Sequence, residues 1–250
     1  MELMITKLLG FVLVLTRMSA FFLAAPVFSW RTIPVRVKVS IVMLLSVFFS
    51  MAAPSAVNSE QTSLLEAILL ISAEALYGFA LGLIVVLIFS AVKLSGRIIE
   101  RQMGLAMAQT LDPLTGERVQ PLGVLIELIF ILLFLSANGH HLFLLIMSRS
   151  YETFPAGSIP TVPLLVGGTV KAGSTMFVAC LRLAAPMLAA FLVLLVVLAV
   201  FARIMPDMNI LFISMPLRVG LGLLMMGMFL PFINQFVAEF SDLIGKLLPL

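Results

Sequence analysis

The sequence predicts an all-α, polytopic membrane protein of about six long, kinked hydrophobic helices arranged as helical hairpins. Three observations carry that prediction. Hydrophobic residues make up 62% of the 250 positions and charged residues only 11%, and the mean hydropathy of +1.22 lies well outside the range of soluble domains. Several apolar runs approach the roughly 20 residues that cross a bilayer as a helix. Those runs are continuous rather than alternating, which argues against a β-barrel, the other structure that satisfies its backbone in lipid. A single cysteine, Cys180, gives neither a disulfide framework nor a cysteine metal site. The net charge of +3 is dispersed and leaves no nucleic-acid footprint. No appended soluble domain is expected.

The first run, residues 1–28, ends in Leu23-Ala24-Ala25 like a signal peptide, but Arg17 interrupts its apolar stretch and Glu2 spoils a basic start. It is expected to be a retained helix. Pro26 and the cluster Ser29 to Pro34 end it, and Trp30 beside Arg31, Arg36 and Lys38 has the composition of an interface anchor. A second run covers residues 39–53 and stops near Pro54. After a polar link, Ser63-Leu64-Leu65-Glu66 matches a capping box, in which hydroxyl and carboxylate each satisfy a free N–H. The helix it starts is expected to reach about Ile99, with Glu74, Gly78 and Gly82 on one face where another helix can approach closely.

The run over residues 124–147 holds Glu127 and Asn138-Gly139-His140-His141, and Asn-Gly is expected to split it into two shorter helices. Residues 149–171, with Pro155, Pro160, Pro163 and Gly167-Gly168, are expected to be a connection. Residues 183–202 form an uncharged span despite Pro186, Arg203 to Asp207 turns the chain, and residues 219–238 are the last apolar run. Pro206 is expected to end one apolar helix, with Asp207 and Asn209 able to cap the next and Pro216 to break it. Arg31, Arg36, Lys38, Lys93, Arg97, Arg101, Arg118 and Arg203 outnumber the cations of the other side, so the positive-inside rule favours an extracytoplasmic N-terminus.

Candidates for chemistry are few. His140 and His141 are adjacent, so on a helix they point about 100° apart, with no cysteine or carboxylate at ligand spacing. There is no G-x-S-x-G elbow and no phosphate-binding loop, so neither catalysis, metal nor cofactor is expected. Glu74, Glu127, Arg182 and Arg218 lie in or near apolar runs, where ionisable groups are costly. A proton relay, pairing between subunits, and snorkelling near helix ends are all open for them.

The one long polar interruption is ERQMGLAMAQTLDPLTGERVQPLG, residues 100–123. Asp112-Pro113 followed by Gly116 is turn chemistry, and Gln102-Met103-Gly104 and Ala106-Met107-Ala108 are small and soft. A task is expected of it, a solvated loop without one being the alternative.

Taken in order, Glu74-x3-Gly78-x3-Gly82, Gly96, Gln102-Met103-Gly104, Asp112-Pro113, Asn138-Gly139-His140, Ser150 with Pro155, Arg203-x2-Pro206-x2-Asn209 and Pro216 form a series over nearly the whole chain. The series resembles the FliR family of flagellar biosynthetic proteins and its counterparts in virulence type III secretion. The resemblance implies a hetero-oligomeric export gate in the bacterial inner membrane at the flagellar basal body, with FliP-like and FliQ-like partners and FlhB-like and FlhA-like export components nearby. It implies passage of unfolded flagellar subunits, driven by the proton motive force and an ATPase that this chain does not supply. It implies a FliP-like part over residues 1–172 and a FliQ-like hairpin over residues 173–250. It gives the central stretch a place in the pore, with Gln102, Met103, Gly104, Met107, Asp112 and Pro113 as the seal. Glu74, Gly78, Gly82, Arg203, Pro206, Asn209 and Pro216 become helix-packing and partner positions. The competing class is a stand-alone proton-coupled secondary transporter using Glu74 or Glu127. It should show two related halves with paired broken helices, and no internal repeat is visible.

Overall fold

The computed structural model describes residues 2–26, 34–52, 63–105, 121–158, 162–206, 209–210 and 212–228. Six helices follow in order: α1 (Glu2–Ala24), α2 (Val35–Ala52), α3 (Leu64–Gln102), α4 (Pro121–Ser136), α5 (Gly139–Thr153) and α6 (Val162–Ile204). A shorter apolar helix, α7 (Phe212–Met228), is the last among the described residues. No strand element occurs among the described residues. Among the described residues four helices are long and apolar enough to cross a membrane, and the interrupted pair α4–α5 adds a fifth if it counts as one span. The protein is therefore an all-α polytopic membrane protein. Trp30, the link over residues 53–62, Met107, Asp112, Pro113 and the tail beyond Met228 lie outside the described residues.

The helix boundaries follow local chemistry. The Ser63 hydroxyl accepts the Glu66 backbone N–H at 3.3 Å, the hydroxyl half of the expected capping box. α4 and α5 are separated at Asn138, whose φ of 59° and ψ of 26° place it in the left-handed region that asparagine tolerates better than most residues. The expected Asn-Gly break is there.

Two sequence expectations are corrected. Residues 149–171 are not one connection: α5 runs to Thr153 and α6 starts at Val162. Pro163 falls in the first turn, where a proline displaces no intrahelical hydrogen bond, and the Gly167-Gly168 pair is absorbed by a 43-residue helix. Nor does Pro216 break the last helix, since α7 runs through it as α6 runs through Pro186. A proline removes one backbone bond and need not end a helix whose other bonds remain.

The chain divides into two compact units. Among the described residues, one takes the chain up to Ile88 together with Asn138–Ser174, and the other takes Phe89–Ala137 and the chain from Thr175 on. Unit one packs α1, α2, the first part of α3, and α5. On α1 the buried positions Leu13, Val14, Arg17, Met18, Phe21 and Phe22 form one helical stripe, which Ala25 continues just past the helix end. Its aromatic contacts include Phe21–Phe143 and Phe49–Tyr151, with ring centroids 6.1 and 5.7 Å apart. Unit two packs the end of α3 with α4, most of α6, and α7. Phe89 meets Phe130 and Phe134 edge-on at 5.4 and 5.2 Å. Ala91, Ala179 and the Cys180 thiol form a second small cluster there.

Burial is uneven between the long helices. In the apolar window of α3, 56% is buried, against 28% in α6 and 11% in α2. α6 displays Phe177, Leu181, Leu192, Val196, Val200 and Phe201, all more than half exposed. So much apolar surface on one chain requires lipid or neighbouring helices to cover it.

Candidate functional site

Two places stand out, one in each unit. In unit one, Arg17 of α1 and Glu74 of α3 form an ion pair that is 1% exposed on both sides. Arg17 Nε donates to Glu74 Oε2 at 2.5 Å and Nη2 donates to Oε1 at 3.0 Å, the two-pronged geometry that a guanidinium fork offers a carboxylate. The other side of the fork serves α5: Nη1 donates to the carbonyls of Ser150 and Phe154 at 3.2 and 2.9 Å. The Ser150 carbonyl also accepts the Phe154 N–H at 3.0 Å, so the guanidinium is a second donor there, and Phe154 is the residue that caps α5. A cation at a helix C-terminus is favoured by the helix dipole.

Glu74 has a further partner. Its Oε1 accepts the Gly157 N–H at 2.8 Å. Gly157 has φ +90°, and the turn is closed by the Ser158 N–H bonding to the Pro155 carbonyl at 3.0 Å. Only glycine adopts that φ readily at the third turn position. The guanidinium lies between two aromatic rings, 4.7 Å from the Tyr77 centroid and 4.4 Å from that of Tyr151. Tyr151 in turn donates its hydroxyl to the Val14 carbonyl at 3.3 Å. One buried cation thus ties α1, α3, α5 and the turn after α5 together. Both oxygens of Glu74 face protein groups, so the geometry is that of a staple.

The small face of α3 continues this contact. A β-carbon at Gly78 would overlap the Arg17 backbone carbonyl, and one at Gly82 would stand 2.6 Å from the Ala24 Cβ and 3.0 Å from the Phe21 carbonyl. The helices meet backbone to backbone. Arg17 was visible in the sequence only as an interruption of an apolar run, and its pairing with Glu74 was missed. An arginine inside one apolar run and a glutamate inside another are the available signal.

In unit two, the end of α3 is pinned on several sides. A β-carbon at Gly96 would lie 2.8 Å from the Gly123 Cα of α4, and the Glu100 carboxylate accepts the Gly123 backbone N–H. Glu127 pairs with Lys93 at 3.0 Å on the partly exposed side of the same crossing. Gln102 is exposed, whereas Met103 is 2% exposed. Gly104 has φ +79°, which turns the chain out of the helix. Three of the six expected seal residues are therefore described, and Met107, Asp112 and Pro113 are not. Arg203, Pro206, Asn209 and Pro216 are all exposed, as is Arg182, while Arg218 is half-buried. His140 and His141 are exposed with ring centroids 4.3 Å apart. Among the described residues, no three His, Cys, Asp or Glu side chains converge on a point that could hold a metal.

Residues 8–244 match the family described as "Bacterial export proteins, family 1". The chain belongs to that family. This export protein is 31% identical over 234 residues to the Flagellar biosynthetic protein FliR of Escherichia coli (strain K12), covering 93% of this chain and 89% of that one. It is 29% identical over 225 residues to the FliR of Bacillus subtilis (strain 168), covering 87% and 84%. To the FliR of Aquifex aeolicus (strain VF5) it is 28% identical over 236 residues, covering 93% and 88%. The export protein is thus a membrane component of flagellar type III protein export.

Proposed function

We propose that this export protein is one subunit of a hetero-oligomeric gate in the bacterial inner membrane, where the end of α3 and the stretch after it help to close the path of unfolded flagellar subunits. The observation that carries the reading is the end of α3. There an apolar helix terminates in a buried methionine, and a left-handed glycine then sends the chain into the one long polar interruption of the sequence. Thioethers at Met103 and Met107 suit a seal that must open and re-form, because an unbranched side chain fills irregular gaps without fixing one geometry. Gln102, Gly104, Asp112 and Pro113 give that segment its polarity and its turns. The chain supplies no chemistry to this process; the force comes from the proton motive force and a separate ATPase.

The second half of the proposal concerns partners. The apolar surface of α2 and α6 is the kind that neighbouring helices cover, and FliP-like and FliQ-like membrane proteins are the proposed neighbours. Residues 1–172 would stand in a FliP-like position. Residues 173–250, turned at Pro206, would offer a hairpin to a FliQ-like hairpin, as repeat units bury one another's faces. Arg203, Asn209 and Pro216 are on the exposed side of that hairpin. FlhB-like and FlhA-like proteins are the further export components with which such a gate would work.

Expression with and without partners tests this. Alone, the chain is expected to aggregate or be degraded, and with FliP-like and FliQ-like chains it is expected to elute in mild detergent as one defined complex. A monodisperse monomer without partners would count against the gate and for a self-sufficient transporter.

A further inference from the structure

α7 carries three glycines, and they differ. A β-carbon added at Gly220 or Gly227 would meet nothing within 4 Å. At Gly222, which is buried, the same atom would lie 2.5, 2.6 and 2.7 Å from Cε, Sδ and Cγ of Met103. The thioether thus rests on bare backbone, in the space that any other residue at 222 would fill.

Met103 is placed there by the last turn of α3. Its N–H bonds to the Ile99 carbonyl at 3.0 Å, and the Gly104 N–H bonds to the Arg101 carbonyl at 3.1 Å. A residue one position beyond the helix is ordinarily half open to its surroundings, yet Met103 is buried like a core side chain.

We infer that Gly222 is a positioning residue for closure of the export path: it is the seat that holds Met103, and with it the point where the chain leaves α3, against α7. The inference rests on the reading that the end of α3 helps to close that path, and it adds the element that holds the end in place. A methionine lying across a glycine makes close dispersion contact without interlocking shapes or hydrogen bonds, so the two surfaces can part and meet again. A shift of α7 is then felt first at the root of the central stretch.

Substitution at the seat tests this in the full chain, co-expressed with its export partners in cells lacking their own copy. Gly222→Leu is expected to leave the recovered complex unchanged while raising ion leakage at least several-fold. Gly222→Ala should fall between parent and Gly222→Leu, because the far end of a methionine can rotate away from one methyl group. Gly220→Leu, the same change two residues away at an open position, should remain as tight as the parent. In a Cys180→Ala background, Met103→Cys with Gly222→Cys should form a disulfide on mild oxidation, since the close approach of Met103 Cγ to position 222 brings the β-carbons within bonding range. Oxidation should then block export without leak, and reduction should restore it.

Leakage from Gly222→Leu no greater than from Gly220→Leu overturns the seat. If Gly222→Leu does not assemble, Gly222→Ala and the disulfide decide: a tight Gly222→Ala, or failure to cross-link in an assembled complex, also overturns it. Removal of residues 104–110 reports on closure separately. A leaky deletion beside a tight Gly222→Leu removes the seat and leaves the closure reading standing. A tight deletion removes the closure reading, while the disulfide still reports on the contact.

Discussion

Glu74→Gln is expected to lower the stability of the assembled chain by about 3–5 kcal/mol, the range for leaving one partner of a buried ion pair uncompensated. The guanidinium of Arg17 would remain 1% exposed with no anion beside it. Arg17→Met should be comparably damaging, because it strands the Glu74 carboxylate and removes the donor that the Phe154 carbonyl and, beside the Phe154 N–H, the Ser150 carbonyl accept at the end of α5. Arg17→Lys should recover little, since an ammonium cannot bridge both oxygens, reach the α5 carbonyls and stack between two rings at once. Exchanging the charges should fail as well: a carboxylate at position 17 would face the carbonyls that arginine now satisfies. Tyr77→Phe is the control. The Tyr77 hydroxyl is buried with no hydrogen-bond partner among the described residues, so its loss should be neutral while the ring over Arg17 stays. The amount of chain recovered in membranes, and the midpoint of thermal unfolding in detergent, are the measurements.

Gly78→Ala should cost about 3 kcal/mol or more, at the upper end for overpacking. Its β-carbon would meet the Arg17 backbone carbonyl, and backbone cannot rotate aside as a side chain can. α1 would have to retreat from α3, pulling Arg17 away from Glu74, so the two effects are coupled rather than additive. Gly82→Ala, facing the Ala24 Cβ and the Phe21 carbonyl, should be milder and of the same sign. Gly167→Ala and Gly173→Ala on α6 meet nothing within 4 Å, and removing a helix glycine should there be neutral or stabilising by up to about 1 kcal/mol. A series in which all four substitutions behave alike would mean that α1 and α3 do not meet backbone to backbone.

Periodicity and composition made the class legible: continuous apolar runs with few charges leave no alternative to helices in a membrane. Local chemistry made several boundaries legible too, as at Ser63, at Asn138-Gly139 and at the turn beside Pro206. Proline and glycine misled where they fell inside long helices. Pro163 and Gly167-Gly168 read as a connection, and Pro216 as a break, because a sequence pattern counts helix breakers without counting the bonds that remain. The staple was half legible. Glu74, Gly78 and Gly82 share a face by spacing alone, but Arg17 is 57 positions away from Glu74 and Ser150 is 133 positions from Arg17. Nothing in helical periodicity pairs residues across such separations. Gly222 carries no mark in the sequence that sets it apart from Gly220; in the structure it is buried against Met103, where Gly220 is open.

The central claim is that the end of α3 and the stretch after it close a path through an assembled gate. Ion conductance across membranes carrying the complex, compared between the parent and a form lacking residues 104–110, tests it most directly. The deletion is expected to assemble in parental amounts and to let small ions leak, with growth inhibition on expression. A deletion complex that assembles and stays as tight as the parent would contradict the account.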